Sequence, residues 1–227
     1  MKPKELFVNG CNEIAKAFIE YGFKPLKQGQ LLKKISDDKD MVFEIYFQTS
    51  QRNYSASVSI MPQFSIYSNK LKEWEILQTK NEKSNGLIYY NSIGYVSNYK
   101  CFKEWNFAGA AFDKYVQEII RDIKLYIIPI INIFENKTDA IEYIKTNGTQ
   151  FNKWTEKSLS PMGFMICFGG KETAEIFLRN YIETEKLGKK VKGFYKELGT
   201  KENIDINYIE FVGAKEIKLA FINGIKI

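Results

Sequence analysis

The fold is decided by the stretch FEIYFQ at residues 43–48, in which an apolar residue occupies every second position. Phe43, Ile45 and Phe47 would share one face, because successive side chains of a β-strand point to opposite sides of the sheet. Residues 54–60 alternate in the same way, with serine at every second position. The two stretches therefore predict two half-buried antiparallel strands.

Three shorter apolar stretches downstream extend this predicted sheet. Residues 64–67 can continue it beyond Pro62, and residues 87–90 and 93–96 can supply one or two further strands. We therefore predict an antiparallel sheet of about four to six strands.

Helical spacing precedes and follows the predicted sheet. An N-terminal helix is predicted from apolar residues that recur at intervals of mostly three or four, namely Phe7, Cys11, Ile14, Ala15 and Phe18. A long helix is predicted from a second stripe, namely Phe112, Val116, Ile119, Ile120, Ile123 and Ile127. Pro129 should close or kink this helix, because proline lacks the amide hydrogen of a helical residue. The expected fold class is α+β, with both helices packed on the antiparallel sheet.

The C-terminal third of the chain is expected to be mainly helical. A short helix is predicted over residues 138–145, and residues 151–227 carry two further apolar stripes at helical spacing. The tail at residues 217–224 alternates like a strand and contains an Asn-Gly turn signal, so its structure stays open. We predict an α+β sheet domain at residues 1–150 and a helical extension or subdomain beyond it.

Four features of the sequence occur together: IGYVS at residues 93–97, FKEW at residues 102–105, a long helix ending in Ile128-Pro129, and an N-terminal helix ending in YGFK at residues 21–24. In these features the chain resembles the DUF4304 family, bacterial proteins of unassigned function. The resemblance covers about residues 5–146. It implies an antiparallel sheet with a helical layer, and it offers no catalytic residues. Ser92 occupies a position at which the family pattern has an arginine. A polar role that depends on that arginine is therefore not expected in this chain.

Composition is typical of a packed globular chain. The 227 residues are 44% hydrophobic and 15% aromatic, enough apolar surface to offset the entropy of ordering the chain. A formal net charge of +6 and a pI of about 8.9 permit attraction to nucleic acid or anionic surfaces without requiring it. The apolar runs all fall short of the roughly 18 residues that a membrane-spanning helix needs.

The cysteines and the N-terminal residues favour a cytoplasmic location. Cys11, Cys101 and Cys167 are odd in number and lie far apart, so they predict neither a disulfide framework nor a paired thiolate site. Asn9 and Glu13 interrupt the apolar stretch that a secretory signal requires. We expect a soluble cytoplasmic protein with no membrane partner.

The chain contains no histidine, which excludes several reaction classes. Catalytic sites of the Ser-His-Asp and Cys-His types need an imidazole as the general base. Histidine-containing zinc sites need an imidazole as a metal ligand. The wide cysteine spacing also disfavours a cysteine-only zinc site. We expect no catalytic residues, no cofactor and no structural metal.

Two constellations nevertheless suggest phosphate chemistry. Asp205, Glu216 and Lys218 have the loose spacing of a magnesium-dependent nuclease site, although an exposed strand or helix face explains them equally well. Residues 169–171, Gly-Gly-Lys, suggest a phosphate loop, but Glu172 follows where a serine or threonine is required. We expect these glycines to form a loop before a helix that starts near Glu172. A magnesium-dependent phosphodiesterase or nuclease is one alternative function.

A lysine cluster suggests a second alternative, nucleic-acid binding. It comprises Lys186, Lys189, Lys190, Lys192 and Lys196, with Phe194 and Tyr195 between them. Lysines bind phosphates and aromatic rings stack on bases. The two aromatic residues also belong to an apolar helical stripe, however, and the cluster is then a solvated helix face.

The segment from residue 95 to residue 105 is the predicted binding surface. Its candidate residues are Tyr95, Tyr99, Lys100, Lys103 and Trp105. Aromatic side chains bury large areas at interfaces while keeping a polar group accessible. The same residues could instead cover the apolar face of the sheet.

We hypothesise a non-enzymatic binding protein with a protein partner and a role in immunity or defence. The hypothesis depends on the missing catalytic groups and on the family resemblance. An inhibitor that mimics nucleic acid would be acidic, whereas this chain is basic, so the partner should be acidic or bound through apolar surface. Nucleic acid is a less favoured partner, and the sequence leaves the oligomeric state open.

Overall fold

The computed structural model describes residues 2–227 and confirms the α+β class, with an antiparallel sheet of six strands and several helices. The strands are β1 (Lys24–Leu26), β2 (Leu31–Ile35), β3 (Met41–Gln48), β4 (Ser59–Ser68), β5 (Leu87–Ser92) and β6 (Trp105–Asn106). The helices are α1 (Pro3–Lys16), α2 (Asn69–Thr79), α3 (Ile93–Val96), α4 (Phe112–Asp122), α5 (Ile128–Glu135), α6 (Lys137–Asn147), α7 (Met162–Phe164), α8 (Gly170–Thr184), α9 (Gly188–Gly199) and α10 (Ala214–Ile222). Two π-helical turns, Ile123–Ile127 and Met165–Gly169, directly precede α5 and α8.

The first five strands follow one another through the sheet in chain order, and β6 pairs with β4 beside this path. On β3, Phe43, Ile45 and Phe47 are fully buried, whereas the residues between them are partly or fully exposed. Glu44 lies opposite Lys33 of β2, and their side chains form a salt bridge of 3.2 Å. The strand predicted from the alternation at residues 43–48 is confirmed.

The predicted strand at residues 54–60 is wrong over most of its length. Residues 54–58 form a turn closed by a bridge between Tyr54 and Ser57, and β4 begins only at Ser59. The amide of Ser59 donates a hydrogen bond to Asn53 Oδ1. A side chain therefore satisfies a backbone group that would pair with a neighbouring strand if β4 were longer. The alternation of serine with apolar residues therefore does not continue as a strand.

Residues 93–96, also predicted as a strand, form the single helical turn α3. The carbonyl of Gly94 accepts a hydrogen bond of 3.3 Å from the amide of Cys101, so the chain folds back after α3. A Cβ atom at Gly94 would overlap the carbonyl of Cys101 and approach Lys103 to 2.9 Å. Only glycine permits this close approach, and the resulting loop carries the candidate site.

The chain forms two compact units, each built from two separated stretches. The first contains residues up to 67 together with residues 90–132, and the second contains residues 68–89 and 133–227. These boundaries differ from the proposed division at residue 150, which remains a prediction.

In the first unit, α1 packs against α4. The apolar face predicted for the N-terminal helix is confirmed, since Phe7, Cys11 and Ile14 are buried. Gly10 on the same face touches the ring of Phe107, which leaves no room for a side chain. The helix ends at Lys16, earlier than the predicted end in the YGFK motif at residues 21–24.

The helical segment that starts at Phe112 continues beyond Pro129 to Glu135. In the π-helical turn before α5, the amide of Ile128 donates to the carbonyl of Ile123, one residue farther back than in an α-helix. The wider turn lies directly before Pro129, whose ring would clash with the preceding turn of a regular helix. The proline therefore does not close the helix, contrary to one of the two predicted outcomes.

The second unit is mainly helical, as predicted for the C-terminal part. In α8 the predicted stripe is buried at Ala174, Phe177, Leu178 and Ile182, and α8 packs against both α6 and α9. The undecided tail forms the helix α10, which packs against α7 and α9. No helix within residues 2–227 is long and apolar enough to cross a membrane.

Candidate functional site

Glu118 on α4 binds two aromatic side chains of the predicted site. Its Oε1 atom accepts hydrogen bonds of 2.8 Å from both the Tyr99 hydroxyl and Trp105 Nε1. The two rings meet edge to face with their centroids 5.9 Å apart. Trp105 is 2% exposed and Tyr99 is half-buried. Glu118 therefore fixes both rings to α4.

Asp122, one helical turn beyond Glu118, extends this network. Its carboxylate is buried, and Oδ2 accepts a hydrogen bond of 3.0 Å from the Tyr99 hydroxyl. Its Oδ1 accepts from both Nε and Nη2 of Arg121, at 2.9 and 2.7 Å. A buried carboxylate needs such partners, because an unpaired charge is costly in a medium of low dielectric constant.

The pKa values of Glu118 and Tyr99 are both shifted away from neutral pH. Burial alone would raise the pKa of Glu118, but hydrogen bonds from Trp105 and Tyr99 and the charges of Lys103 and Arg121 together lower it. Burial raises the pKa of Tyr99, and hydrogen bonding to Glu118 raises it further. Both shifts are opposite to those that a general base or acid working near pH 7 requires.

Lys103 covers the aromatic pair. Its Nζ atom lies 4.7 Å from the ring centre of Tyr99 and 5.0 Å from that of Trp105. A cation over aromatic rings is attracted by their negative faces. Lys100, in the turn before it, is exposed and has a left-handed backbone conformation with φ of 54°. The segment therefore presents positive charge at its surface.

Two large apolar side chains lie exposed on the same loop. Tyr95 is 46% exposed on α3, and Phe102 is 56% exposed in the irregular segment that leads to β6. The two stretches that carry them are in direct contact, since Gly94 accepts the hydrogen bond from Cys101. Cys101 itself is exposed and has a free thiol.

The five predicted site residues thus divide into two groups. Tyr99, Lys103 and Trp105 form the fixed network, which we call the aromatic frame together with Glu118 and Asp122. Tyr95 and Lys100 lie at the surface, and Phe102, absent from the predicted set, lies there as well. We call the exposed side chains of Tyr95, Lys100 and Phe102 the aromatic surface.

Glu118 and Asp122 were missed because nothing near them in sequence marks them as partners. They lie 13 to 23 residues from Tyr99 and Trp105, the aromatic residues whose hydrogen bonds they accept. Their spacing of four residues on a helix places them on one face, and this was the available signal. Selecting that face over the other polar positions of α4 requires knowledge of the tertiary packing.

The three residues of the proposed magnesium site have different surroundings. Lys218 is 2% exposed, and its Nζ donates to the carbonyls of Asp205 and Tyr208 and pairs with Glu210 at 2.6 Å. Asp205 lines a cleft of about 580 Å³, whereas Glu216 and Lys218 do not. Within residues 2–227, no group of three or more acidic or cysteine side chains could hold a metal ion.

The lysine cluster lies on and just before α9. Phe194 is buried against Phe211, with ring centroids 5.0 Å apart, and Tyr195 packs its ring edge to face with Phe221. Both rings are therefore used in packing, while Lys189 and Lys190 are exposed.

Residues 169–171 do not form the predicted loop. Gly169 ends the second π-helical turn and Gly170, with φ of 74°, begins α8 at once. The helix thus starts two residues before Glu172.

Comparison with protein families finds one match, which covers most of the first unit. The family model described as "Domain of unknown function (DUF4304)" matches residues 14–133, just over half of the chain and all of the aromatic frame. The chain belongs to the DUF4304 family. No curated protein and no solved structure matches it. The DUF4304 resemblance inferred from the motifs is thereby confirmed.

Proposed function

We propose that this DUF4304 protein is a binding protein that holds a protein partner on its aromatic surface. The proposal rests on one observation: Tyr95 and Phe102 are exposed on a loop whose other aromatic residues are fixed by Glu118 and Asp122. Large aromatic side chains are the residue types that dominate the energetics of protein interfaces.

The aromatic frame supports this proposal because it reduces the entropic cost of binding. The bonds from Tyr99 and Trp105 to Glu118, and the close contact of Gly94 with Cys101, restrict the loop in the absence of a partner. A surface that is already ordered loses less conformational freedom when it binds. The network therefore serves to position the exposed rings.

Charge supports a partner with acidic groups around an apolar centre. Lys100 and Lys103 flank the exposed rings, and Arg121 is 64% exposed on α4. Glu104 is an exposed acid of the same segment, and the three cations outnumber it. Glu118 and Asp122 are already bound within the frame. Complementary charge on the partner would speed association and orient the complex.

We further propose a cytoplasmic location, supported by the finding that Cys11, Cys101 and Cys167 form no disulfide. A role in immunity or defence remains a hypothesis that derives from the sequence. The identity of the partner would test it.

A site-specific cross-linker can identify the partner. We expect a photoreactive phenylalanine analogue at position 102 to capture one discrete protein in cells that express the full chain. The same analogue at Tyr54, which is 61% exposed in the same unit, is the matched control and should not capture it. Identical products from both positions, or none from position 102, would refute the proposal.

A further inference from the structure

We propose that the loop after α9 and the lysine-rich face of that helix together form a docking surface for an anionic lipid bilayer. The loop comprises residues 208–212, and the lysines are those of residues 186–196. The proposal concerns the second unit and is independent of the aromatic surface.

The loop exposes three apolar side chains within five residues. Tyr208 is 65% exposed, Ile209 is 64% exposed and Val212 is 100% exposed. Complete exposure means that Val212 projects from the molecule and does not line a groove. Projecting aliphatic and tyrosine side chains suit the boundary between lipid head groups and acyl chains, where an apolar tip can be buried without a shaped pocket.

A buried lysine holds this loop in place. Lys218 of α10 donates to the carbonyls of Asp205 and Tyr208, at 2.8 and 2.7 Å, and pairs with Glu210. Phe211, between the exposed residues, packs on Phe194 of α9. The apolar tip is therefore displayed by a fixed backbone, and its exposure is not the result of a loop left without contacts.

The same loop is joined to the lysine cluster. Lys190 Nζ lies 4.1 Å from the ring centre of Phe211, next to the fully exposed Val212. Residues 183–197 contain five lysines and three exposed glutamates, Glu183, Glu185 and Glu197, so the segment keeps a net positive charge. Of these glutamates, Glu197 already pairs with Lys201 at 2.7 Å. Positive charge beside an apolar tip complements the negative surface of an anionic bilayer.

Lipid is favoured over nucleic acid by the chemistry of the tip. A nucleic-acid surface would need several exposed rings for base stacking, whereas Phe194 is buried and Tyr195 packs on Phe221. Tyr208 of the loop is exposed, but Lys218 Nζ already lies 5.5 Å from the centre of its ring. Ile209 and Val212 cannot stack on bases but gain free energy when they leave water for the acyl region. This surface lies on a membrane without crossing it.

Vesicle sedimentation with the full chain tests the proposal. We compare vesicles of phosphatidylcholine alone with vesicles in which about a third of the lipid is phosphatidylglycerol. Binding is expected only to the anionic vesicles, and it should weaken as the salt concentration rises. The double variant Ile209→Ser and Val212→Ser should bind about tenfold more weakly, and so should Lys189→Gln with Lys190→Gln.

The control removes two exposed lysines of the first unit, Lys24→Gln with Lys114→Gln, and should bind like the unsubstituted chain. Equal sedimentation with both lipid compositions would overturn the proposal, as would equal losses in the control and in Lys189→Gln with Lys190→Gln. A labelled single-stranded oligonucleotide provides the last arm. Oligonucleotide binding that depends on the lysines, with no vesicle binding, would overturn the lipid assignment in favour of nucleic acid.

Discussion

Glu118 accepts the hydrogen bonds of both Tyr99 and Trp105 at a single oxygen atom, so a substitution of Glu118 affects both contacts at once. Glu118→Gln keeps the shape of the side chain but removes its charge. We expect the free energy of unfolding to fall by about 1 kcal/mol, because hydrogen bonds to a charged acceptor become bonds to a neutral one. Urea denaturation measures this change, and a variant as stable as the parent would contradict the role of Glu118.

The pKa of Glu118 also predicts how stability depends on pH. This pKa is lowered in the folded chain from its ordinary value of 4.5. The folded state then binds its proton less readily than the unfolded state, so the stabilisation is complete above about pH 4.5 and is lost as the pH falls through the folded pKa. Unfolding measured between neutral pH and pH 3 should show a steeper acid loss for the parent than for Glu118→Gln.

Lys218 is the second residue whose environment sets a clear expectation. Lys218→Met keeps the apolar length of the side chain but leaves Glu210 and two carbonyls without their donor. We expect the free energy of unfolding to fall by about 2 kcal/mol, because two backbone carbonyls lose their donor, whereas water can reach the partly exposed Glu210. Lys215→Met, on the same helix but less buried, is the control. Equal effects of both variants would contradict a specific role for Lys218.

At the residue scale, the sequence selected three side chains that the structure brings together, but it did not reveal the acidic residues that they contact. Tyr99, Lys103 and Trp105 were identified by composition alone, because clustered aromatic and cationic residues are chemically conspicuous. Their partner Glu118 depends on how α4 is turned against the loop, which is a tertiary property. Lys218 was proposed as a member of a magnesium-dependent nuclease site. In the structure it is buried, and its Nζ donates hydrogen bonds to backbone carbonyls.

At the scale of elements, two helical glycines form a matched pair. A Cβ atom at Gly10 of α1 would lie 2.6 Å from Phe107 Cδ2, and that ring is fully buried, whereas a Cβ at Gly193 of α9 meets no atom within 4 Å. Gly10→Ala should lower the free energy of unfolding by about 1–3 kcal/mol through overpacking. Gly193→Ala should raise it by about 0.5–1 kcal/mol, because alanine favours the helix. Chemical denaturation of both variants checks the prediction, and a stabilised Gly10→Ala would contradict the packing of α1.

The elements that were predicted correctly are those with one strong periodic signal. The strand at residues 43–48 and the face of α1 each bury a regular set of large side chains. Residues 54–58 had the same alternation, but Asn53 Oδ1 accepts a hydrogen bond from the Ser59 amide, and this local bond competes with strand pairing. At Pro129, a π-helical turn relieves a steric conflict that sequence rules treat as a helix end. Periodicity cannot detect either effect.

At the scale of the whole molecule, the aromatic frame lies in the first unit, and the proposed lysine-rich docking surface lies in the second. The family match covers residues 14–133 and therefore the first of these surfaces only. The second surface is a property of the C-terminal part, so removal of vesicle binding should leave partner binding unchanged. The variants Phe102→Ser and Val212→Ser can separate the two activities in one chain.

The most direct test of the central claim is calorimetry with the partner that the cross-linker at position 102 identifies. We expect Tyr95→Ser and Phe102→Ser each to weaken binding of the partner by about tenfold or more, because both remove exposed aromatic contact area. Tyr54→Ser, at an equally exposed site of the same unit, should bind with the affinity of the parent. Unchanged affinity in Tyr95→Ser and Phe102→Ser, with folding intact, would contradict the aromatic surface as the binding site.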